Sequence, residues 1–257
     1  MKKNIFFIAN WKMNLSAQQT RALTNGIMPT VKKYGNLMTL AIAPSFPMLQ
    51  DVLNISRRSV RMQVCAQDCF WEQSGAYTGE VSPDMLAEMG CTHVLIGHSE
   101  RRIYLHETDA MIQKKLACIF AMKKNIIPVL CVGETTRQKK AGRSEEIIHA
   151  QLTAALAGIT LKSSQKLVIA YEPVWAIGSG IPMTPDEFGA CAVRIRGYVS
   201  RAFGGQGRAD SVVLYGGSVT PETARAYVSA GGDGVLVGGA SQRIDSCTAL
   251  IRTLCMK

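Results

Sequence analysis

Eight short apolar runs, rich in β-branched residues, recur from one end of the chain to the other: Asn4–Ala9, Met38–Ala43, Val60–Ala66, Thr92–Ile96, Ile126–Cys131, Leu167–Tyr171, Ser211–Tyr215 and Gly234–Val237. They lack the apolar/polar alternation of a strand wetted on one face, so they are expected to be strands buried on both faces. The longer stretches between them carry helix signals. Ser16 with Gln19 can cap a helix running towards Tyr34, and 109–124 spreads Met, Ile, Leu and Phe at helical spacing. Ser82-Pro83, Thr184-Pro185 and Thr220-Pro221 each put proline in the first helical position behind a hydroxyl cap, and Glu187 completes a capping box with Thr184.

Strand–helix alternation of this kind builds either a closed parallel barrel or an open doubly wound sheet. The polar residues separate the two. Nearly every run ends in a polar or glycine cluster: Asn10-Trp11-Lys12, Gln67-Asp68, Gly97-His98-Ser99-Glu100, Gly133-Glu134, Glu172-Pro173, Gly216-Gly217-Ser218 and Gly238-Gly239. A barrel gathers all its C-terminal strand ends on one face, whereas an open sheet concentrates function at one switch point. The expected fold is therefore α/β, a single (β/α)8 barrel. No linker or composition break interrupts the 257 residues, so one domain over 1–257 is expected, a length that α/β barrels commonly reach.

Composition bounds the function. With 47% apolar and 19% charged residues the chain can bury a large core, which excludes disordered and collagen-like classes. The net charge of +10 suits an anionic ligand, or is only a solvated basic surface. No basic–aromatic platform or zinc spacing supports nucleic-acid binding. The run Ile5–Ala9 is too short for a signal peptide, and no stretch approaches the roughly 18 apolar residues of a membrane span. Eight cysteines without a C-x-x-C pair are expected to be free, mostly buried thiols in a reducing cytoplasm.

Several strand-end residues have chemistry to offer. Glu172 closes an apolar strand and precedes Pro173-Val174-Trp175. Such a carboxylate is partly desolvated, which strengthens it as a base for C–H abstraction; a salt-bridged structural glutamate is the alternative. His98 stands where a strand gives way to a helix, whose positive end disfavours imidazolium, so a neutral ring could donate to a carbonyl oxygen. His93, His106 and His149 are expected to be ordinary surface histidines. Asn10 and Lys12 fall on one face at the end of the first strand and could stabilise oxyanion charge. Gly216-Gly217-Ser218 and Gly238-Gly239-Ala240-Ser241 end the last two strands, where a barrel holds phosphate on backbone N–H groups. The segment from Ala176 to Pro182, with Gly178 as a phosphate donor, is a candidate lid or else an ordinary loop.

Together Asn10-Trp11-Lys12-Met13-Asn14, Gly97-His98-Ser99-Glu100-Arg101-Arg102, Ala170–Gly178 (AYEPVWAIG), Tyr215-Gly216-Gly217-Ser218, Gly79–Pro83 (GEVSP) and Val237–Ser241 (VGGAS) closely resemble the triosephosphate isomerase family, in order and from the first strand to the last. The resemblance implies a TIM barrel that interconverts dihydroxyacetone phosphate and D-glyceraldehyde 3-phosphate through an enediolate, in cytoplasmic glycolysis and gluconeogenesis. The mechanism of this family is itself a standard illustration of pKa tuning and loop closure. By this likeness Glu172 is the base, neutral His98 and Asn10 polarise the carbonyl, and Lys12 supplies positive charge with Glu100 orienting it or His98. Gly178, Ser218, Gly238 and Gly239 hold the phosphate. The lid Ala176, Ile177, Gly178, Ser179 and Gly180 excludes water and suppresses phosphate loss. No metal and no organic cofactor are implied. A homodimer is, through the loop from Phe70 to Gly79, with Thr78 near the partner's Asn10.

The lid departs from the family pattern. Where the family usually continues Gly-Thr-Gly-Lys, this chain has Ser179-Gly180-Ile181-Pro182. That resembles a related branch acting on four-carbon ketose phosphates such as erythrulose phosphates, whereas Val237-Gly238-Gly239-Ala240 is of the triose type. A non-catalytic phosphate-binding barrel is a further alternative, against which Asn10, Lys12, His98 and Glu172 together argue.

Overall fold

Eight parallel strands pair in chain order and close on themselves: β1 (Ile5–Asn10), β2 (Met38–Ala43), β3 (Met62–Ala66), β4 (His93–Ile96), β5 (Ile127–Val132), β6 (Val168–Tyr171), β7 (Val212–Tyr215) and β8 (Gly234–Val237), with β8 pairing back onto β1 through Phe7 and Val235. The computed structural model describes residues 4–59, 61–162, 164–178, 181–203 and 211–256. Around the strands lie α1 (Ala17–Tyr34), α2 (Leu49–Ser56), α3 (Pro83–Met89), α4 (Ser99–Tyr104), α5 (Asp109–Ala121), α6 (Thr136–Lys140), α7 (Ser144–Leu156), α8 (Pro185–Ala202), α9 (Ala224–Ser229) and α10 (Ile244–Cys255). This is the (β/α)8 TIM barrel. Among the described residues no helix is long and apolar enough to cross a membrane.

The absence of alternation in the strands has a direct cause. One set of side chains, including Ile8, Ala41, Cys65, Leu95, Val129, Val168, Leu214 and Leu236, fills the barrel interior. The alternate set, including Phe7, Leu40, Val64, Ile96, Leu130, Ile169, Val213 and Val235, packs under the helices. Both faces are dry, so both are apolar. The same period of two carries Asn10 inward after Ile8 and Glu172 inward after Ala170, and both are buried at the C-terminal mouth.

Helix starts follow their caps. Ser16 Oγ accepts the Gln19 N–H while Gln19 Oε1 accepts the Ser16 N–H, and Thr184 and Glu187 form the same reciprocal box ahead of α8. Ser82 Oγ accepts the Met85 N–H at the start of α3. Elsewhere the sequence reading is corrected. Thr220-Pro221 opens a turn and α9 begins only at Ala224, because Thr223 Oγ1 takes up the Thr220 N–H and spends that residue on the turn. The helix expected over 109–124 ends at Ala121, where Met122 turns extended and buries its side chain. Val60 lies outside the described residues, and β3 starts at Met62. His93 is not a surface residue: two positions before inward-facing Leu95, it is buried at the barrel floor with Nδ1 2.9 Å from Thr92 Oγ1. All eight cysteines are free, six of them buried.

Candidate active site

Glu172 owes its position to the sheet. Its N–H donates to Val132 O at 2.7 Å, and the next ladder bond runs from Gly216 N–H to Tyr171 O at 2.8 Å, so the pairing of β5, β6 and β7 continues past the last strand residues. Gly216 is needed here, since a Cβ at that position would come within 2.9 Å of Glu172 Cγ. The carboxylate is 2% exposed. Its Oε2 accepts the Ser99 N–H at 2.9 Å. Its Oε1 lies 3.1 Å from His98 Nε2 but has no aligned hydrogen-bond donor. A buried carboxylate oxygen with free lone pairs, facing the mouth of the barrel, can take a proton. Beneath it, burial first and the Glu172 charge second push the Cys131 thiol far up, so that sulfur stays neutral.

His98 is the N-cap of α4, and its Nδ1 accepts the Glu100 N–H at 3.2 Å. A ring nitrogen that accepts carries no proton, so the imidazole is the neutral tautomer with hydrogen on Nε2. That N–H is the donor the site offers beside Glu172. Glu100 serves twice, since its side chain also holds Lys12 Nζ at 2.6 Å.

Lys12 is one of two non-glycine residues with positive φ among those described, at 53°. Its peptide is pinned on both sides: Asn10 Oδ1 accepts the Lys12 N–H at 3.0 Å, and Gln67 Nε2 donates to Lys12 O at 2.9 Å. An unfavourable backbone conformation persists only where the surroundings over-determine it. With Asn10 Oδ1 engaged, the Asn10 amide nitrogen is the group left to donate to a substrate oxygen. Gly238 admits the lysine stem, since a Cβ there would stand 3.0 Å from Lys12 Cε. A buried ionic cluster fixes α4 from behind: Lys115 Nζ binds Asp68 at 2.7 Å and Glu107 at 2.5 Å, and Arg101 spans the same two carboxylates at 2.8 and 3.0 Å.

The residues expected to hold phosphate meet at the same mouth. Ser218 Oγ donates to Ala176 O at 2.6 Å and accepts the Gly178 N–H at 3.2 Å. Gly238 ends β8, and Gly239 opens the 3-10 turn Gly239–Ser241, whose Ser241 O accepts the Trp11 Nε1–H at 3.0 Å. Met183, which precedes the N-cap of α8, is tied to Tyr215, whose hydroxyl accepts the Met183 N–H at 3.1 Å. A neutral ring donor, an unengaged carboxylate oxygen, an ammonium group and a rim of glycines thus share one barrel mouth.

A model of the family described as triosephosphate isomerase matches residues 5–254. Relatives named triosephosphate isomerase from Streptococcus pyogenes serotype M18 (strain MGAS8232), serotype M49 (strain NZ131) and serotype M1 are each 42% identical over 253 residues, covering 98% of either chain. The chain belongs to the triosephosphate isomerase family. It is an isomerase, and the resemblance read from its motifs holds over the whole barrel.

Within this family member, Asn10, Lys12, His98, Glu100 and Glu172 form one connected set, and Gly178 with Ser218 forms a second at the lid's near end. Ala176, Ile177 and Gly178 of the expected lid are described, whereas Ser179 and Gly180 lie outside the described residues. Ile181 is exposed. Sequence reasoning missed four supports. Gln67 braces Lys12, and Glu134 accepts from Trp175 Nε1 at 2.8 Å and from the Tyr171 hydroxyl at 3.1 Å. Tyr215 and Tyr227 both bond to Met183. Gln67 and Glu134 stood among the strand-end polar clusters and so carried a signal; a tyrosine inside an apolar helical stretch carried none.

Proposed function

We propose that this chain interconverts dihydroxyacetone phosphate and D-glyceraldehyde 3-phosphate. The observation that carries the reading is Glu172 Oε1, buried and without an aligned donor, beside a histidine whose only proton is on Nε2. Glu172 takes the proton from the carbon beside the carbonyl. His98 Nε2–H and the Asn10 amide donate to the oxygen that becomes negative, and Lys12 lowers the energy of the enediolate. Glu172 then returns the proton to the neighbouring carbon. Gly178, Ser218, Gly238 and Gly239 hold the phosphate, and the lid keeps water from the enediolate. The same names on the relatives support triose phosphate as substrate. The reaction is a step of glycolysis and gluconeogenesis, and free, largely buried thiols support a cytoplasmic setting.

The reading includes one barrel domain over 1–257 and a homodimer. Support for the dimer comes from large apolar side chains left in water on the loops and short helices that follow the first, third and fourth strands: Met13 is 91% exposed, Tyr104 of α4 73%, Met85 of α3 52% and Tyr77 44%. The segment from Phe70 to Gly79 is a compact projection, with Phe70 N–H on Val81 O and its ring stacked on Trp71 at 4.1 Å. Sedimentation of the purified chain tests this: a species near twice 27.9 kDa is expected, and a monomer at micromolar concentration contradicts it.

Measuring kcat/KM side by side on D-glyceraldehyde 3-phosphate and on erythrulose phosphates tests the substrate. A strong preference for the triose is expected. Preference for the four-carbon sugar, or tight binding of 2-phosphoglycolate without turnover of either, overturns the reading.

A further inference from the structure

Three contacts orient His98 from within its own strand–helix unit, and one of them comes from a side chain. The His98 carbonyl accepts the Arg101 and Arg102 N–H groups at 2.8 and 3.2 Å, and its Nδ1 accepts the Glu100 N–H at 3.2 Å. Those donors are backbone groups of α4 and come with the helix. The third contact lies ahead of the histidine, where Arg102 Nε–H donates to Gly97 O at 3.0 Å. A peptide group is planar, so fixing Gly97 O fixes the plane that carries the His98 N–H and sets where the His98 Cα stands.

That restraint is needed because position 97 has to be glycine. Its φ is +73°, and a Cβ there would come within 2.6 Å of Ile112 Cδ1 on α5. Glycine satisfies both demands, but its backbone is also the freest to turn. Arg102 supplies from outside the restraint that a side chain at 97 cannot. The guanidinium is placed for this contact rather than for its own hydrogen bonding. Its Nη1 reaches Asp109, at the start of α5, at 2.5 Å, whereas its Nη2 is buried without a partner. Nη2 lies against Gly97, 3.4 Å from where a Cβ would stand. A buried donor left unpaired opposes folding, so stability alone does not account for the position of this group.

We propose that Arg102 is a positioning residue: its Nε–H on Gly97 O holds the Gly97–His98 peptide so that His98 Nε2 faces the site beside Glu172 and the Ser99 N–H reaches Glu172 Oε2. This rests on the isomerase reading above. The segment Gly97-His98-Ser99 delivers the ring donor, 3.1 Å from Glu172 Oε1, and the backbone donor, 2.9 Å from Oε2. One turned peptide therefore displaces the proton donor and loosens the base together. Misplacing a reacting group by about 1 Å costs about a hundredfold in rate.

Arg102→Met puts a methyl group where the Nε–H stands. It should lower kcat roughly ten- to a hundredfold, with KM for glyceraldehyde 3-phosphate changed less than about threefold. Arg102→Gln returns an N–H donor to the Nε position without the charge, so kcat should recover to within about threefold of wild type. Asp109→Asn removes the ion pair but leaves the Nε–H bond, and kcat should again stay within about threefold. NMR of the chain carrying isotope-labelled histidine, with His98 assigned by its loss in His98→Gln, should show hydrogen on Nε2 and a bare Nδ1. Arg102→Met should move both ring signals and Arg102→Gln should keep them. If the methionine variant does not fold, Arg102→Met combined with Asp109→Asn leaves neither partner charged and gives the same readouts. Wild-type kcat and His98 signals in the methionine variant, a glutamine or Asp109 variant as slow as the methionine one, or a loss confined to thermal stability overturn the proposal. Absence of turnover in the wild-type chain instead overturns the isomerase reading, and the His98 signals still test the contact.

Discussion

Replacing Glu172 by glutamine exchanges one carboxylate oxygen for an amide NH2, and the surroundings make the consequences for stability and for activity calculable. The carboxylate has Ser99 N–H on Oε2 at 2.9 Å and His98 Nε2 3.1 Å from Oε1. Both neighbours are donors, because His98 Nδ1 is occupied by the Glu100 N–H. A glutamine amide must therefore set its NH2 against one of them. Turned towards Ser99 it destroys a buried hydrogen bond, and turned towards His98 it opposes N–H to N–H. The first orientation leaves the buried Ser99 N–H unpaired, at a cost of about 1–3 kcal/mol, so the amide oxygen should keep that bond and stability should fall by no more than this. Activity should fall much further. General-base catalysis contributes about 10²–10⁴-fold, so kcat should drop by at least about a hundredfold while 2-phosphoglycolate binding weakens far less. A coupled assay with glyceraldehyde 3-phosphate, isothermal titration with 2-phosphoglycolate and a urea melt separate the three quantities. Retention of kcat within about tenfold would refute Glu172 as the base, and a stability loss well beyond about 3 kcal/mol would refute the hydrogen-bond arrangement described around it.

Other expectations follow from the same contacts. Lys12→Met removes the ammonium held at 2.6 Å by Glu100, so steady-state kinetics should show KM raised and kcat lowered together; unaffected constants would remove Lys12 from the reaction. Lys115→Met leaves Asp68 and Glu107 buried without their shared cation and should lose about 3–5 kcal/mol in chemical denaturation, whereas a loss under about 1 kcal/mol would mean the cluster is wetter than its burial implies. Burial, with Lys166 second, holds the His93 imidazole down to about 4, below its ordinary 6.5. The unfolded chain thus binds this proton first, and the stability His93 contributes above pH 6.5 should be lost as pH falls through the interval from 6.5 to about 4, by about 3 kcal/mol. Asp68, which burial pushes up to about 6, acts in the opposite sense, so the measurement is the difference in stability between wild type and His93→Gln at pH 7 and pH 4.5, which should converge as the pH falls.

The strand ends explain how much of this was legible beforehand. Strands buried on both faces have no alternation, and that alone separated a barrel from a half-wetted sheet. Once the strands were set, period-two geometry sent Asn10 and Glu172 to the mouth, and both are there. His93 was misjudged because a histidine deep in a strand carries no local mark of burial; its place depends on inward-facing Leu95 and the barrel's closure. Thr220-Pro221 misled in the other direction, since the same hydroxyl–proline pair that starts α3 and α8 here serves a turn. The bond from the Tyr227 hydroxyl to Met183 O could not be read at all, because it joins residues 44 positions apart.

Running the isomerisation of D-glyceraldehyde 3-phosphate in D2O and locating deuterium in the product by NMR tests the proton-transfer claim most directly. A proton carried by Glu172 can exchange with solvent before it is returned, so solvent deuterium should appear on the hydroxymethyl carbon of dihydroxyacetone phosphate, and this incorporation should disappear with turnover in Glu172→Gln. Product formed with no solvent deuterium, at an undiminished rate in that variant, would mean hydrogen passes between the carbons without the carboxylate.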